Sequence, residues 1–435
     1  MINPALVSHL ARCFASGEPT ADGIAGRAAY VLGRPWFWLL PLARRYLKTH
    51  RGRTRPRQQD VIRFLLDDEA FRFRAHKLSV AKWLTEPQRM QPVPAAVPWG
   101  LPELVTEGDL AAWLGVHPTE LDWFADRKGL NARTTRTPLE HYHYRILVKQ
   151  HGGVRLIEAP KPRLKEMQRR ILGEILNLIP AHPAAHGFCP GRSIRTFAEP
   201  HVGRPVVLRM DLQDFFPSIP AARIQAVFRT FGYPESVADL LAGVCTNRTH
   251  PGVWRTAGPS ISNAELIAAR RLHQSPHLPQ GAPTSPGLAN LCAYHADCRL
   301  TGLARQFGAV YTRYADDLAF SFDEPSHVRR FSSYAAAVLL EEGFAVNHRK
   351  TRIMTRSMQQ RLAGLVTNAR LNIPRADFDQ LKAVLTNCVR FGPADQNRAG
   401  VPDLRAHLGG RIGFVESIHP GKGRRLRALF DNISW

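Results

Sequence analysis

Two adjacent carboxylates, Asp316 and Asp317, constrain what this 435-residue chain can fold into. Residues 310–314 before them are rich in β-branched and aromatic side chains, and apolar residues alternate with smaller ones in 318–322 after them. This pattern is typical of a strand, a tight turn and a second strand. Like charges at the tip of a buried hairpin repel each other, and a divalent cation offsets that repulsion. The pair therefore indicates either a metal site or an ordinary Asp-Asp turn.

The composition predicts a globular protein that binds a polyanion. The chain is long enough for two or three domains, and 44% of its residues are hydrophobic. A formal net charge of +23 favours nucleic acid as the partner, with a membrane surface as the alternative. The longest apolar run, 36–43, is too short to span a bilayer, and the N-terminus does not resemble a secretory signal. Six cysteines without C-x-x-C spacing predict reduced thiols, so we expect a cytoplasmic protein with no membrane association.

A third carboxylate, Asp211, lies far earlier in the chain. Residues 205–212 form an apolar run that predicts a strand, and Phe215 and Phe216 follow it. Three carboxylates on two strands are what a two-metal phosphoryl-transfer site requires. One ion activates the attacking hydroxyl, and the other stabilises the leaving pyrophosphate. This chemistry requires a fold that brings Asp211 to Asp316 and Asp317.

Other segments fit nucleotide binding. The Gly- and Pro-rich residues 277–290 predict a loop that feeds a helix and lets the backbone approach a nucleotide closely. Residues 142–149 and 152–160 predict a β-hairpin, which the cationic amphipathic helix 161–179 follows. Lys350 comes after a predicted helix that ends at Gly343 and is placed to meet a phosphate.

Residues 1–134 predict a basic helical segment. Apolar spacing indicates helices over 36–47, through 61–65 and over 78–84. Four arginines in 51–57 favour phosphate contact over a merely solvated charge run. Residues 110–124 resemble a helix-turn-helix, but without a basic face we favour an αα-hairpin that packs on the next domain.

Four motifs together resemble a known family. They are Asp-x-x-x-Phe-Phe at 211–216, Leu-Pro-Gln-Gly at 278–281, Tyr-Ala-Asp-Asp at 314–317 and Lys-Thr at 350–351. They occur in the order of the reverse-transcriptase motifs. Residues 187–194, 408–412 and 433–435 most resemble the bacterial retron type, and the long helical N-terminus resembles the longer members of that group.

The resemblance implies an α+β right-hand polymerase with fingers, an antiparallel palm sheet and a helical thumb. The implied domains are a basic helical N-terminal extension over 1–134, fingers and palm over 135–355, and an RNA- and duplex-binding thumb over 356–435.

The resemblance also implies roles for individual residues. Asp211, Asp316 and Asp317, with the Leu212 carbonyl, would hold two Mg²⁺ ions, for which Mn²⁺ could substitute. Phe216 would be a steric gate that favours dNTPs over rNTPs by shape, whereas Phe215 would belong to the core. Lys350 would be catalytic, as a phosphate clamp or as general acid to pyrophosphate. The implied dNTP-binding residues, besides Phe216, are Lys149, Arg155, Gln280 and Gly281.

The implied RNA-binding residues are Arg192, His201 and Gly364, and two of them lie in altered motifs. Phe-Ala-Glu-Pro-His at 197–201 stands where retron enzymes usually have Asn-Ala-x-x-His. Leu-Ala-Gly at 362–364 stands where they usually have Val-Thr-Gly. In the family both elements are associated with its own structured RNA, so these departures bear on the RNA partner.

The expected function is RNA-directed DNA synthesis on a structured non-coding RNA, with retron msDNA synthesis in antiphage defence. The RNA–DNA duplex product and an effector or toxin protein would be further partners. The alternatives are another defence-associated enzyme, a group II intron-like enzyme and a catalytically inactive RNA-binding module. The three clustered acids argue against the inactive module, because without metal they would only destabilise the fold. A maturase would need a further domain, for which the chain leaves little room after 365–368.

Overall fold

The computed structural model describes residues 2–50, 56–83, 89–130, 140–149, 153–258, 261–398 and 400–435. Residues 51–55 of the arginine-rich run, Leu84 and the predicted boundary at 134 lie outside these described residues. The chain divides into two compact units. The first unit comprises Met1–Ile179 and Pro220–Ala282, and the second comprises Pro180–Ile219 and Pro283–Trp435.

The α-helices and strands confirm the expected α+β composition. The helices are α1 (Pro4–Ala15), α2 (Ala21–Val31), α3 (Leu39–Thr49), α4 (Gln58–Asp67), α5 (Glu69–Ala75), α6 (Glu107–Leu114), α7 (Pro118–Ala125), α8 (Pro162–Glu174), α9 (Ile194–Ala198), α10 (Ala221–Thr230), α11 (Glu235–Cys245), α12 (Asn263–His273), α13 (Ser285–Cys292), α14 (Tyr294–Gln306), α15 (Val328–Glu341), α16 (Arg375–Phe391), α17 (Leu404–Ile418) and α18 (Pro420–Asp431). The strands are β1 (Tyr142–Val148), β2 (Val154–Pro160), β3 (Val206–Asp211), β4 (Val310–Tyr314), β5 (Asp317–Phe322), β6 (Arg352–Thr355), β7 (Arg361–Leu362) and β8 (Leu365–Val366). In the described part of the chain, no helix is both long and apolar enough to cross a bilayer.

Helices α1 to α5 form a module with its own hydrophobic core, which we call the N-terminal module (residues 2–50 and 56–83). Leu10, Leu42 and Leu65 are fully buried there, because each amphipathic helix turns one apolar stripe towards the others. The helix predicted over 78–84 is wrong. Residues 78–83 are not helical, and the backbone N–H groups of Ala81 and Lys82 donate to the Val31 carbonyl at the end of α2.

The helix-turn-helix-like segment is an αα-hairpin, as favoured from the sequence. Pro118 opens α7, and Thr106 and His117 cap α6 and α7. Helix α7 packs on α11 so closely that a Cβ at Gly243 would collide with the Ala125 carbonyl. This hairpin is therefore a structural part of the first unit.

The second unit is built on an antiparallel sheet with strand order β4-β5-β3-β6. Side chains alternate between the two faces of a strand. On one face, Phe331 of α15 packs on Phe320 and Phe322, with ring centroids 4.8 and 5.0 Å apart. On the other face, Val207 and Ala319 share a core with residues of β7, β8 and α16 to α18. The sheet is therefore covered on both faces, which explains why β5 is buried along almost its whole length.

A buried ion pair ties β4 to α14. The Arg313 guanidinium donates to both oxygens of Asp297, at 2.8 and 2.6 Å, and each side chain is only 1% exposed. Tyr311 also donates its hydroxyl to Asp297, at 2.7 Å. A buried charge is tolerated when its hydrogen bonds are satisfied, as they are here.

Replacing Asp297 with Ala should destabilise the fold strongly, because it leaves the Arg313 charge buried without its partner. We expect the free energy of unfolding to fall by about 3–5 kcal/mol, measured by urea denaturation. The matched control is Asp323→Ala, which breaks the Arg204–Asp323 pair, where Asp323 is 68% exposed. The control should change the free energy of unfolding by about 1 kcal/mol or less. Equal unfolding midpoints for the two variants would contradict a structural role for the buried pair.

Candidate active site

The sheet brings the three predicted carboxylates to one end. Asp211 at the end of β3 is paired directly with Asp317 at the start of β5. Tyr314 pairs with Asp317, so Ala315 and Asp316 form the two-residue turn between β4 and β5. The Leu212 N–H donates to the Asp316 carbonyl at 2.9 Å and ties this turn to β3. The convergence that the chemistry requires is therefore present in the second unit.

The turn has a strained backbone that its surroundings hold in place. Ala315 has φ +54°, in the left-handed region that a non-glycine residue adopts at a cost and that tight hairpin turns require. The Arg313 guanidinium donates to the Ala315 carbonyl at 3.0 Å. On the other side lies Gly187, where a Cβ would come within 2.6 Å of the Ala315 nitrogen. Glycine at 187 therefore lets another part of the chain support the turn at Asp316 at close range.

The segment before Gly187 is an added edge of the sheet. Arg313 N–H donates to the Ala184 carbonyl, and His186 N–H donates to the Arg313 carbonyl, both at 2.7 Å. The Asn290 side chain accepts from Arg313 at 3.0 Å and donates to the Gly187 carbonyl at 2.8 Å. One fully buried arginine thus connects the supporting segment, α13 and the turn that carries Asp316.

Asp316 and Asp317 lie in an environment that opposes their full ionisation. Burial raises the pKa of Asp316, and the neighbouring Asp211 and Asp317 raise it further. Burial also raises the pKa of Asp317, although Arg209 opposes that effect. A divalent cation would offset the negative charge of both carboxylates and so favour their ionised forms. Carboxylate and carbonyl oxygens are the ligands that Mg²⁺ and Mn²⁺ prefer. The donor set at this end of the sheet therefore fits a divalent metal.

Two cations already contact this acidic cluster. The Lys350 ammonium lies 3.0 and 3.1 Å from the two oxygens of Asp211. The Arg209 guanidinium donates to both oxygens of Asp317, at 2.8 and 2.9 Å. Sequence reasoning missed Arg209. The signal was its position two residues before Asp211, which places both side chains on the same face of β3.

The aromatic pair after Asp211 divides its roles as expected. Phe215 is 3% exposed and packs on Phe344 with ring centroids 5.6 Å apart, which confirms it as a core residue. Phe216 is only half-buried, and its nearest additional ring is Phe188, 6.3 Å away. Phe188 is 49% exposed and lies in the retron-like run 187–194, but its side chain had no role assigned from the sequence. Phe216 therefore retains the partial exposure that a steric gate needs.

The predicted dNTP-binding residues Lys149, Arg155, Gln280 and Gly281 all belong to the first unit. Arg155 is an exposed residue of β2, and the Lys149 N–H donates to the Gly153 carbonyl at 2.9 Å. The loop with Gln280 and Gly281 runs along β2. The Glu158 N–H donates to the Gln280 carbonyl at 2.8 Å, and a Cβ at Gly281 would lie 3.1 Å from the Glu158 carbonyl. Within this unit, the predicted loop and hairpin are therefore brought together.

A buried ion pair holds that loop. Glu158 lies 2.9 Å from His277 Nε2, and its other oxygen accepts from Asn247 and Thr249, each at 2.8 Å. His277 Nδ1 lies 2.8 Å from the Ser275 carbonyl, so both ring nitrogens face acceptors, an arrangement that favours the protonated ring. Burial opposes these charges, but their attraction lowers the pKa of Glu158 and raises that of His277. Neither residue was identified from the sequence, because they are far apart in the chain.

Two predicted RNA-binding residues make internal contacts in the second unit. His201 has no exposed surface, and its ring nitrogens lie 2.8 Å from the hydroxyls of Ser321 and Thr312. Burial lowers its pKa to about 3. Arg192 donates to the carbonyls of His182 and Pro183, at 2.9 and 3.0 Å. His201 is therefore enclosed within the second unit, and the RNA-binding role of either residue stays a prediction.

Gly364, the third predicted RNA-binding residue, lies in an exposed tight turn. Leu362 pairs with Leu365, so Ala363 and Gly364 connect β7 to β8. Their φ angles are +43° and +86°, as a two-residue type I′ turn requires. Among the described residues, and apart from Gly364 and its two chain neighbours, no atom lies within 4 Å of a Cβ built at Gly364. The turn therefore presents backbone to solvent, which is compatible with the predicted contact.

Comparison with known proteins identifies the class of enzyme and then the type. A family profile described as reverse transcriptase (RNA-dependent DNA polymerase) matches residues 147–375. The retron Mx65 reverse transcriptase of Myxococcus xanthus is 40% identical over 332 residues, covering 75% of this chain and 72% of that protein. The retron Mx162 enzyme of the same organism is 36% identical (77% and 68% covered), and the Escherichia coli retron Ec86 enzyme is 29% identical (67% and 82% covered).

The chain therefore belongs to the reverse transcriptases, and within them to the bacterial retron type. It is an RNA-directed DNA polymerase with the right-hand polymerase fold of that family. Among solved structures, telomerase from Candida albicans is 12% identical, with a TM-score of 0.34 and coverage of 66% of this chain and 54% of that chain. A likeness this low carries no argument about function.

The raised pKa values predict how stability depends on pH and metal. A carboxyl group that binds its proton more tightly when folded destabilises the fold as pH rises through its folded pKa. In EDTA, the contribution of Asp316 and Asp317 to the thermal midpoint should therefore fall as pH rises above about 4, the ordinary Asp value. Asp316→Asn should weaken this fall and raise the midpoint at neutral pH.

Mg²⁺ should in turn raise the midpoint of the wild-type protein more than that of the Asp316→Asn variant, because the variant has lost a carboxylate ligand. Thermal scans across a pH series, with and without Mg²⁺, make both measurements. The exposed Asp323→Asn variant serves as the control and should behave like the wild type. An Asp316→Asn variant with an unchanged pH profile and full Mg²⁺ stabilisation would disprove the metal assignment.

Proposed function

We propose that Asp211, Asp316 and Asp317 hold two Mg²⁺ ions and that the chain uses them to copy a structured non-coding RNA into DNA. The observation that carries the proposal is the direct pairing of Asp211 with Asp317 beside the turn at Asp316. Two divalent ions bound there would supply the charge for hydroxyl attack and pyrophosphate departure. The Leu212 carbonyl is a further candidate ligand, and Mn²⁺ is a candidate substitute for Mg²⁺.

The two cations at the cluster would orient and balance the carboxylates. Arg209 donates one hydrogen bond to each oxygen of Asp317. Each of these oxygens therefore keeps a lone pair that could bind a metal. Lys350 bonds to Asp211 but remains 44% exposed. Its ammonium is therefore able to meet a phosphate oxygen or give a proton to the leaving pyrophosphate. An arginine could not act as such an acid, because it does not lose its proton in proteins.

Nucleotide selection would fall to two groups of residues. In the second unit, the half-buried Phe216 would fill the space that a ribose 2′-OH needs. In the first unit, the exposed Arg155 and the less exposed Lys149 would bind the triphosphate, and Gln280 and Gly281 would line the nucleotide site. The Glu158–His277 pair supports this assignment because it holds the Gln280 loop against β2.

The wider biological role is proposed from the relatives. Proteins named as retron reverse transcriptases match most of this chain, so we propose msDNA synthesis in antiphage defence, in the cytoplasm, with an effector or toxin protein as a further partner. The structured RNA would contact Gly364 and Arg192, and His201 through its effect on the sheet. The domains 1–134, 135–355 and 356–435 would serve as N-terminal extension, fingers with palm, and thumb.

Nucleic acid that copurifies with the protein tests this function. Wild-type protein should copurify with a specific RNA covalently joined to DNA, whereas Asp316→Asn should retain the RNA and carry no DNA. Primer extension by the variant should fall by about a thousandfold or more, because losing a metal ligand removes several kcal/mol of transition-state stabilisation. Its affinity for RNA should stay within about twofold, because catalytic carboxylates contribute little to backbone contacts.

The matched control for that experiment is Asp323→Asn, whose carboxylate lies on the surface. Full DNA synthesis by Asp316→Asn would rule out the metal site. Copurification of unrelated cellular RNAs without attached DNA would instead argue against msDNA synthesis on a dedicated structured RNA.

The Phe216→Ala variant should discriminate less between dNTPs and rNTPs. Removing the ring opens space for a 2′-OH, so the ratio of kcat/KM for dNTP over rNTP should fall by about 10- to 100-fold. Phe188→Ala, which removes the neighbouring ring, is the control and should leave the ratio close to that of the wild type. An unchanged ratio in single-nucleotide incorporation by Phe216→Ala would remove the gate role.

A further inference from the structure

The N-terminal module exposes aromatic rings that its core does not use. Phe37 is 81% exposed, Phe73 is 78% exposed and Tyr30 is 49% exposed, while nineteen other residues form the buried core of the module. Exposed apolar side chains are ordinary when they are scattered singly. Here Tyr30 lies at the end of α2, and Phe37 lies in the connection from α2 to α3. Phe73 belongs to α5, whose Arg74 lies beside Phe37. Grouping of this kind marks a binding surface.

Two of these rings, Tyr30 and Phe37, have a cation beside them. Lys82 Nζ lies 5.4 Å from the Tyr30 ring centroid, because the Lys82 backbone is bonded to Val31 next in the chain. The Arg74 guanidinium lies 5.8 Å from the Phe37 ring, and Phe73 is its neighbour in α5. Between these two ends, Arg34 lies 3.6 Å from the centroid of the Trp36 ring.

We call this surface the aromatic platform and define it by six residues, Tyr30, Arg34, Phe37, Phe73, Arg74 and Lys82. Cations over aromatic faces at these distances are attracted by the ring electrons and keep the rings and charges together.

The platform carries positive charge without local neutralisation. Among the described residues, Arg34, Arg74 and Lys82 form no ion pair with a carboxylate, whereas Arg45 in the same module pairs with Asp68 at 2.7 Å. Residues 1–83 contain fifteen Lys and Arg against six Asp and Glu. The unpaired cations and the exposed rings therefore favour an anionic occupant that presents flat apolar faces.

We propose that the aromatic platform binds single-stranded nucleic acid. Unpaired bases stack on aromatic side chains whatever their sequence, and phosphates pair with nearby cations. A duplex hides its base faces and would meet only the cations. The inference goes beyond polymerisation, because it assigns a second nucleic-acid site to a module that contains none of the proposed catalytic or dNTP-binding residues.

Binding and crosslinking to the full-length protein test the proposal. The probes are fluorescent 12-nucleotide oligouridine and oligothymidine, photoactivatable versions of both with 4-thio bases, and a blunt RNA duplex of equal length. Crosslinked bases should map by mass spectrometry to residues 30–37 or 72–83. The double variant Phe37→Ala/Phe73→Ala should lose these adducts and bind the single strands at least about fivefold more weakly at constant salt, with little change for the duplex.

Two further variants separate stacking from folding. Phe37→Trp/Phe73→Trp retains flat rings and should bind single strands like the wild type. Leu66→Ala removes an exposed aliphatic side chain of the same module, 41% exposed, and should also bind like the wild type. The ratio of affinities for oligouridine and oligothymidine tells whether the platform prefers RNA or DNA.

Several results would overturn the proposal. One is the absence of adducts in residues 30–37 and 72–83, and another is equal affinity of the wild type and the Ala variant for single strands. A loss of binding only to phosphatidylglycerol vesicles would make the platform a membrane-surface site, and a loss only of a copurifying protein would make it a protein-docking site. These assays need no nucleotide incorporation and work equally in Asp316→Asn, so their failure is distinguishable from failure of the polymerase proposal.

Discussion

Repulsion among three carboxylates at one end of a sheet is the constraint on which the second unit depends. Asp211 and Asp317 are paired in register, and Asp316 lies on a turn with a left-handed residue beside it. Such a turn persists only when the surrounding structure holds it. Arg313 bonds to the turn from inside, the backbone at Gly187 presses against it, and Leu212 ties it to β3. The buried Arg313–Asp297 pair anchors that support in α14.

The same repulsion links stability to function. Burial and mutual repulsion raise the pKa values of Asp316 and Asp317, so the site is a place where the fold is less stable than it could be. Arg209 and Lys350 offset part of the negative charge. A divalent ion would offset more, and this coupling makes metal binding measurable by stability as well as by DNA synthesis.

The first unit shows a different use of buried charge. Glu158 and His277 hold the loop with Gln280 against the β1–β2 hairpin by an ion pair and by the Glu158 backbone. In contrast, the N-terminal module leaves cations and rings at its surface, where a flexible polyanion can reach them. Interior charges therefore position elements of this unit, whereas surface charges remain available to ligands.

Local structure at the centre of the site was predictable from the sequence alone. The alternation around 314–317 specified two strands and a turn, and the order of four motifs specified the family. The helix predicted from apolar spacing was wrong at 78–83. The backbone hydrogen bonds of this segment to the Val31 carbonyl outweighed its local preference for a helix. Only the tertiary structure decided that Arg209 bonds to Asp317, that Lys350 bonds to Asp211, and that His201 is enclosed. Backbone periodicity acts over a few residues, whereas the partner of a charged side chain depends on which distant segment packs beside it.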